Sequence, residues 1–77
     1  MEKRSDKLPG FGMRLRSCRS GSDVTQQELA DALGVSLRTY QRYESGTTEP
    51  TLYDLVSICI VLDVSSDYLL GLTDEEE

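Results

Sequence analysis

Gly34 is the position that most restricts what this chain can fold into. It interrupts an apolar pattern that reads as helix on both sides, within the stretch LADALGVSLRTYQRYESG from Leu29 to Gly46. Leu29, Ala30 and Leu33 form the inward face of one short helix. A glycine just past them can take the left-handed conformation that ends a helix without a Cβ clash. Val35 and Ser36 restart the chain in a new direction, and Ala30 is small where the two helices would cross. Two helices joined by such a glycine turn have helix-turn-helix geometry, although an ordinary helical hairpin fits the same spacing.

Similar punctuation recurs along the chain. Thr25 with Glu28 reads as a capping box, flanked by Val24 and Leu29 as a hydrophobic staple. Val35 before Ser36, with Tyr40 inside, repeats the staple, as does Val64 before Ser65, with Leu69 inside. Thr51 with Asp54 is a further box-like start just after Pro50. These signals predict helices near 26–33, 37–44, 52–62 and 66–70. An earlier helix begins near Pro9 to Phe11 and stops at the turn-forming cluster Ser20-Gly21-Ser22-Asp23. Its Phe11, Leu15 and Cys18 share one face, with Arg14 and Arg16 largely outside it. The helix from Leu52 is apolar on much of its circumference, so it is expected to be the central one. The fold class is all-α, a compact five-helix domain over 9–73, with a flexible arm at 1–8 and an acidic tail at 74–77.

Seventy-seven residues leave room for one domain and one modest core. Cys18 and Cys59 fall inside apolar helical patterns as buried thiols, and not in the close pairs that zinc or redox motifs need. Histidine is absent, which removes the commonest general base and the commonest metal ligand together. No metal cluster or nucleophile–base pair is visible, so the reading is not an enzyme and no cofactor is implied. The start lacks the apolar run of a secretory signal, and no stretch approaches the roughly 18 apolar residues of a membrane span. The expected location is cytoplasmic.

A net charge of −6 argues against an anionic partner until the charges are placed. All eight basic residues lie between Lys3 and Arg42, whereas Gly46 to Glu77 holds eight acidic residues and none basic. The first half suits an anion, and the second would turn away from it. If Tyr40 and Tyr43 point into the core, Arg38, Gln41, Arg42 and Ser45 share the opposite side of their helix, with Leu37 at its tip. Arginine matches the N7 and O6 acceptors of guanine, glutamine pairs with adenine, and an aliphatic group covers a thymine methyl. A solvated helix face has the same composition, so the stripe alone leaves both readings open.

From Leu15 to Asp74 the sequence resembles the phage-repressor and Cro type of helix-turn-helix domain, the Xre-like family of bacterial regulators. The resemblance is carried by LRSCR (Leu15 to Arg19), TQQELADALGVS (Thr25 to Ser36), TYQRYESG (Thr39 to Gly46) followed by Pro50, and LDVSSDYLLGLTD (Leu62 to Asp74). It implies a lambda-repressor-like fold whose helix after Ser36 enters the major groove of double-stranded DNA. Leu37, Arg38 and Arg42, with Gln41 beside them, match base-contacting positions. Gln26 matches a phosphate contact at a helix N-terminus, where unpaired N–H groups favour an anion. Thr39 either contacts phosphate or supports the helix start, and Thr47 is assigned to phosphate. Arg19 and Glu44 match a partly buried salt bridge between the first and third helices.

The sequence departs from that pattern in the loop Gly46-Thr47-Thr48-Glu49, which lacks the basic residues many members carry. Backbone N–H groups and threonine hydroxyls are left to serve phosphate there. Tyr40 is bulkier than the usual aliphatic residue, and Cys18 replaces a common leucine. With Arg14, Arg16, Arg38 and Arg42, and in addition Lys3, Arg4 and Lys7, as the cations expected for phosphates or bases, about three to five phosphates are neutralised, for a salt slope of roughly −3 to −4 per monomer. One copy binds weakly, so a homodimer on a palindromic operator is expected, paired through the segment from Tyr68 to Leu72. There Leu69 is expected inside, with Leu70 or Leu72 open to the partner. The functional reading is a sequence-specific transcriptional regulator, a repressor that occupies its operator. The alternative is a protein-interaction module of the same fold, an antitoxin-like or anti-repressor partner that does not read DNA.

Overall fold

The computed structural model describes residues 10–73. They form α1 (Phe11–Gly21), α2 (Gln26–Leu33), α3 (Leu37–Ser45), α4 (Leu52–Leu62) and α5 (Ser66–Leu70). The arm assigned to 1–8 and the tail assigned to 74–77 lie outside the described residues. Among the described residues no helix is long and apolar enough to cross a membrane.

Local chemistry sets the helix starts. Thr25, Ser36, Thr51 and Ser65 each accept a hydrogen bond from the backbone N–H three residues on, at 3.0–3.1 Å, filling one of the four donors a helix start leaves open. Glu28 returns the bond to the Thr25 N–H at 2.9 Å, completing the capping box. Val24, Val35 and Val64, each one residue before its cap, pack against the core. Gly34 ends α2 at φ 73°, ψ 27°, and its neighbour Val35 bonds back to the Ala30 carbonyl at 3.1 Å.

The box-like start at Thr51 is built differently from its sequence pattern. Asp54 is turned into the protein, 7% exposed, where its Oδ2 accepts the Tyr43 hydroxyl at 2.8 Å. That bond ties α4 to α3 and is worth more to a buried carboxylate than a second cap bond at the surface.

The helix from Leu52 is not central. It buries Asp54, Ile58 and Leu62 along one stripe, while Leu52, Val56 and Ile60 on the opposite side are 82%, 57% and 74% exposed. With α4 apolar almost all round, hydropathy did not say which face turns inward. The centre is held instead by Leu15 of α1, Leu29 and Ala30 of α2 and Tyr40 of α3, all fully buried, with Ile58 and Leu69 closing over them. α1 packs on α3 and α5, and α2 packs on α3 and α4.

Two glycines matter for different reasons. Gly34 has open space where a Cβ would stand, so its substitution strains only the left-handed backbone. Gly12, buried on α1, has none: a Cβ there would lie 2.1 Å from the Glu44 carbonyl oxygen. We expect Gly34→Ala to cost about 1 kcal/mol. Gly12→Ala should cost about 3 kcal/mol, despite alanine's higher helix propensity. Urea unfolding of both variants checks the order, and a milder Gly12→Ala contradicts the close approach of α1 to α3.

Candidate nucleic-acid interface

The core fixes the register of α3. Tyr40 and Tyr43 are 0% and 4% exposed and meet edge to face with ring centroids 6.3 Å apart. Arg38, Gln41 and Arg42 are therefore driven to the exposed side, with Leu37 half-buried at the helix tip. Arg38 and Arg42 stand one turn apart, and neither joins an ion pair among the described residues. Gln26, Leu37 and Gln41 line one open recess between α2 and α3, together with Arg16 and Ser45. Arg38, Arg42, Thr39 and Thr47 lie outside that recess.

Thr39 is engaged at the start of α3: its N–H and its Oγ1 both bond the Ser36 hydroxyl at 3.0 Å. Thr47 is exposed, with its hydroxyl 2.9 Å from that of Ser45. The loop's backbone donors are not free as the sequence suggested. The N–H groups of Thr47 and Thr48 both bond the Arg42 carbonyl, at 3.0 and 3.2 Å, because a helix end must first satisfy its own last carbonyls.

Glu44 organises the floor of the recess. Its side chain is 6% exposed. Oε2 accepts from Arg19 Nε and from the Tyr40 hydroxyl, each at 2.5 Å, and Oε1 accepts from Gln26 Nε2 at 3.0 Å. Arg19 also donates to the Val24 carbonyl at 2.8 Å, fastening the turn before α2. Gln41 Nε2 completes the series at 3.3 Å from Gln26 Oε1. Burial alone would push the Glu44 carboxyl up, but the bonds from Arg19, Tyr40 and Gln26 outweigh it and hold the group below its ordinary value. Arg19 is raised in turn, chiefly by its bond to Glu44. Burial first, then the bond to Glu44, raises the Tyr40 phenol. Burial and the bond to Asp54 push Tyr43 up to about 12.

Sequence reasoning missed three partners. Tyr40 donates to Glu44 as well as filling the core, and its signal was the i, i+4 spacing. Tyr43 with Asp54 had no such signal. Arg14, counted as free for phosphate, donates from Nε to the Leu69 carbonyl at 3.1 Å, 55 residues away, and its guanidinium occupies the space beside Gly71.

Comparison with known proteins agrees with this geometry. A helix-turn-helix family model matches residues 15–69. The chain is 43% identical over 60 residues to the SPbeta prophage-derived uncharacterized HTH-type transcriptional regulator YonR of Bacillus subtilis, covering 78% of this chain and 56% of that protein. It is 42% identical over 66 residues to the cryptic phage CTXphi transcriptional repressor RstR of Vibrio cholerae, covering 83% and 59%. The chain thus spans just over half the length of these relatives. The fold is similar to that of the P22 c2 repressor, solved in complex with a synthetic operator, with a TM-score of 0.73 and 33% identity over 78% of this chain and 91% of that one.

The Glu44 cluster makes a pH-dependent claim. A carboxylate held below its ordinary value of 4.5 stabilises the fold fully above that value, and the contribution is lost as pH falls through the lowered one. Glu44→Gln should therefore unfold more easily by roughly 2 kcal/mol at neutral pH, with the gap to wild type closing below the ordinary carboxylate range. Urea midpoints at pH 7 and pH 3 measure it, and a gap that stays constant contradicts the charged role.

Proposed function

The chain belongs to the Cro/C1-type helix-turn-helix family, and on that premise we propose that it is a sequence-specific double-stranded DNA-binding transcriptional regulator, a repressor working in the cytoplasm. The observation that carries this reading is the outer face of α3, where Arg38 and Arg42 project on successive turns without a carboxylate partner among the described residues. Guanidinium groups so placed reach guanine N7 and O6 in a major groove, with Gln41 beside them and Leu37 at the tip. Gln26, Thr39 and Thr47 flank this face and serve as phosphate contacts, which set orientation and carry no sequence information. The similarity to a repressor solved on an operator supports the same assignment.

Arg14 and Arg19 are bound up in the fold, leaving Arg16, Arg38 and Arg42 among the described cations for DNA. Three phosphates or fewer at these described residues contribute a salt slope no steeper than about −3 per monomer, which favours a homodimer on half-sites roughly 34 Å apart. In the segment from Tyr68 to Leu72, Leu69 closes the core, Tyr68 and Leu70 pack against it, and Leu72 is 73% exposed. The larger exposed apolar area is the Leu52, Val56 and Ile60 stripe of α4, which adds to Leu72 as the surface for a second copy.

Selection of bound duplexes from a random pool at fixed salt should return a palindromic consensus. Arg38→Ala and Arg42→Ala should each weaken binding to it by about 10- to 100-fold while circular dichroism stays unchanged. Recovery of no consensus refutes the reading. For pairing, Ile60→Glu should leave the helical signal intact and shift sedimentation toward the monomer.

A further inference from the structure

The contacts from Glu44 to Gln41 share one direction, and chemistry fixes it. An ionised carboxylate only accepts hydrogen bonds, so the Gln26 atom 3.0 Å from Glu44 Oε1 is nitrogen. The amide oxygen of Gln26 then faces away, toward Gln41, and only the nitrogen of Gln41 can answer it, at 3.3 Å. Orientation thus passes from a carboxylate whose side chain is 6% exposed to an amide on the exposed face of α3. Glu44 carries no such choice of orientation, because both oxygens of its carboxylate accept, Oε2 from Arg19 and Tyr40 and Oε1 from Gln26.

We propose that Glu44 is a positioning residue for base readout, setting through Gln26 which end of the Gln41 amide meets DNA. The inference rests on the DNA-reading role proposed above. With its nitrogen side anchored, Gln41 offers its oxygen and its remaining N–H in one fixed order along the groove, which fits the N6 donor and N7 acceptor of adenine in one orientation of the base pair. An unanchored amide rotates to suit the reversed order as well. Two equally populated orientations reduce affinity for the correct base by only about twofold. The relay's main effect is therefore to reject the reversed pair, since Gln41 can turn only by setting oxygen against oxygen at Gln26.

The chain has three glutamines and no asparagine, so the side-chain amide region of a nitrogen-15 spectrum holds three NH2 pairs. Gln27, bonded to Asp31 at 2.9 Å, serves as the internal reference. In the free protein, Gln26→Met should move the Gln41 pair and leave the Gln27 pair in place. On DNA, the base pair read by Gln41 is the one whose preference Gln41→Ala erases. There Gln26→Met and Glu44→Gln should each reduce discrimination about tenfold. Glu44→Gln, its folding checked by circular dichroism, should keep affinity for the best duplex within about threefold. Gln26→Met also loses a phosphate contact, which weakens all duplexes equally. A Gln41 pair indifferent to Gln26→Met, or unchanged discrimination in both variants, overturns the positioning role while DNA binding stands. A wild-type chain that binds no duplex, with the amide relay intact in the spectrum, overturns the DNA reading and the positioning role with it.

Discussion

Glu44 is held from both ends, and the arrangement of the first three helices depends on it. Its carboxylate gathers Arg19 from α1, Gln26 from α2 and Tyr40 from α3. Its carbonyl lies so close to Gly12 that α1 can seat there only without a side chain. A buried ion pair adds little net stability once desolvation is counted, but it penalises every arrangement that leaves the charge unpaired. Five short helices around one small core have many ways to slide, and a carboxylate needing donors from three of them removes most. The structure meets the demand, with no buried side-chain nitrogen or oxygen lacking a partner among the described residues.

Charge segregation takes on a sharper meaning once the arginines are placed. Arg19 neutralises Glu44, and Arg14 bonds the Leu69 carbonyl at the end of α5, so two cations of the basic half act inside the fold. Among the described residues, the exposed cations that remain are Arg38 and Arg42 on α3 and Arg16 beside the recess. The outward positive charge of the described residues is therefore confined to these three, bounded by a second half without a basic residue. In the proposed DNA-reading role, three such cations contribute little non-specific attraction, and readout would rest on a few well-oriented side chains.

Helix limits were legible in the sequence because caps and staples are local: Thr25 with Glu28, or Val35 with Ser36 and Tyr40, act within a few residues. The left-handed break at Gly34 was legible for the same reason. The outward set on α3 followed from placing Tyr40 and Tyr43 inside. What escaped depends on contacts far apart in the chain. Asp54 looked like the second member of a capping box until Tyr43 claimed it. Arg14 looked solvated because its acceptor lies on the last helix. The orientation of α4 was illegible for a different reason. With apolar residues on nearly every side, periodicity carried no direction, and the Tyr43 bond to Asp54 together with Ile58 and Leu62 chose the buried stripe.

The choice of glutamate at 44 joins stability to the proposed readout in a way no neutral residue reproduces. Three donors converge there, and a glutamine could keep Arg19 and Tyr40 on its oxygen only by turning its own NH2 toward Gln26, which would then have to reverse and present its oxygen. An aliphatic residue would strand the Arg19 guanidinium and the Tyr40 hydroxyl below the surface. Only an ionised carboxylate satisfies all three, and the property that makes it suitable, accepting without donating, also leaves Gln26 a single orientation. The helix packing and the polarity presented at the outer face of α3 are thus set by one protonation state. A change that relaxes the first therefore also reaches the second, although Glu44 lies beneath the surface proposed to meet DNA.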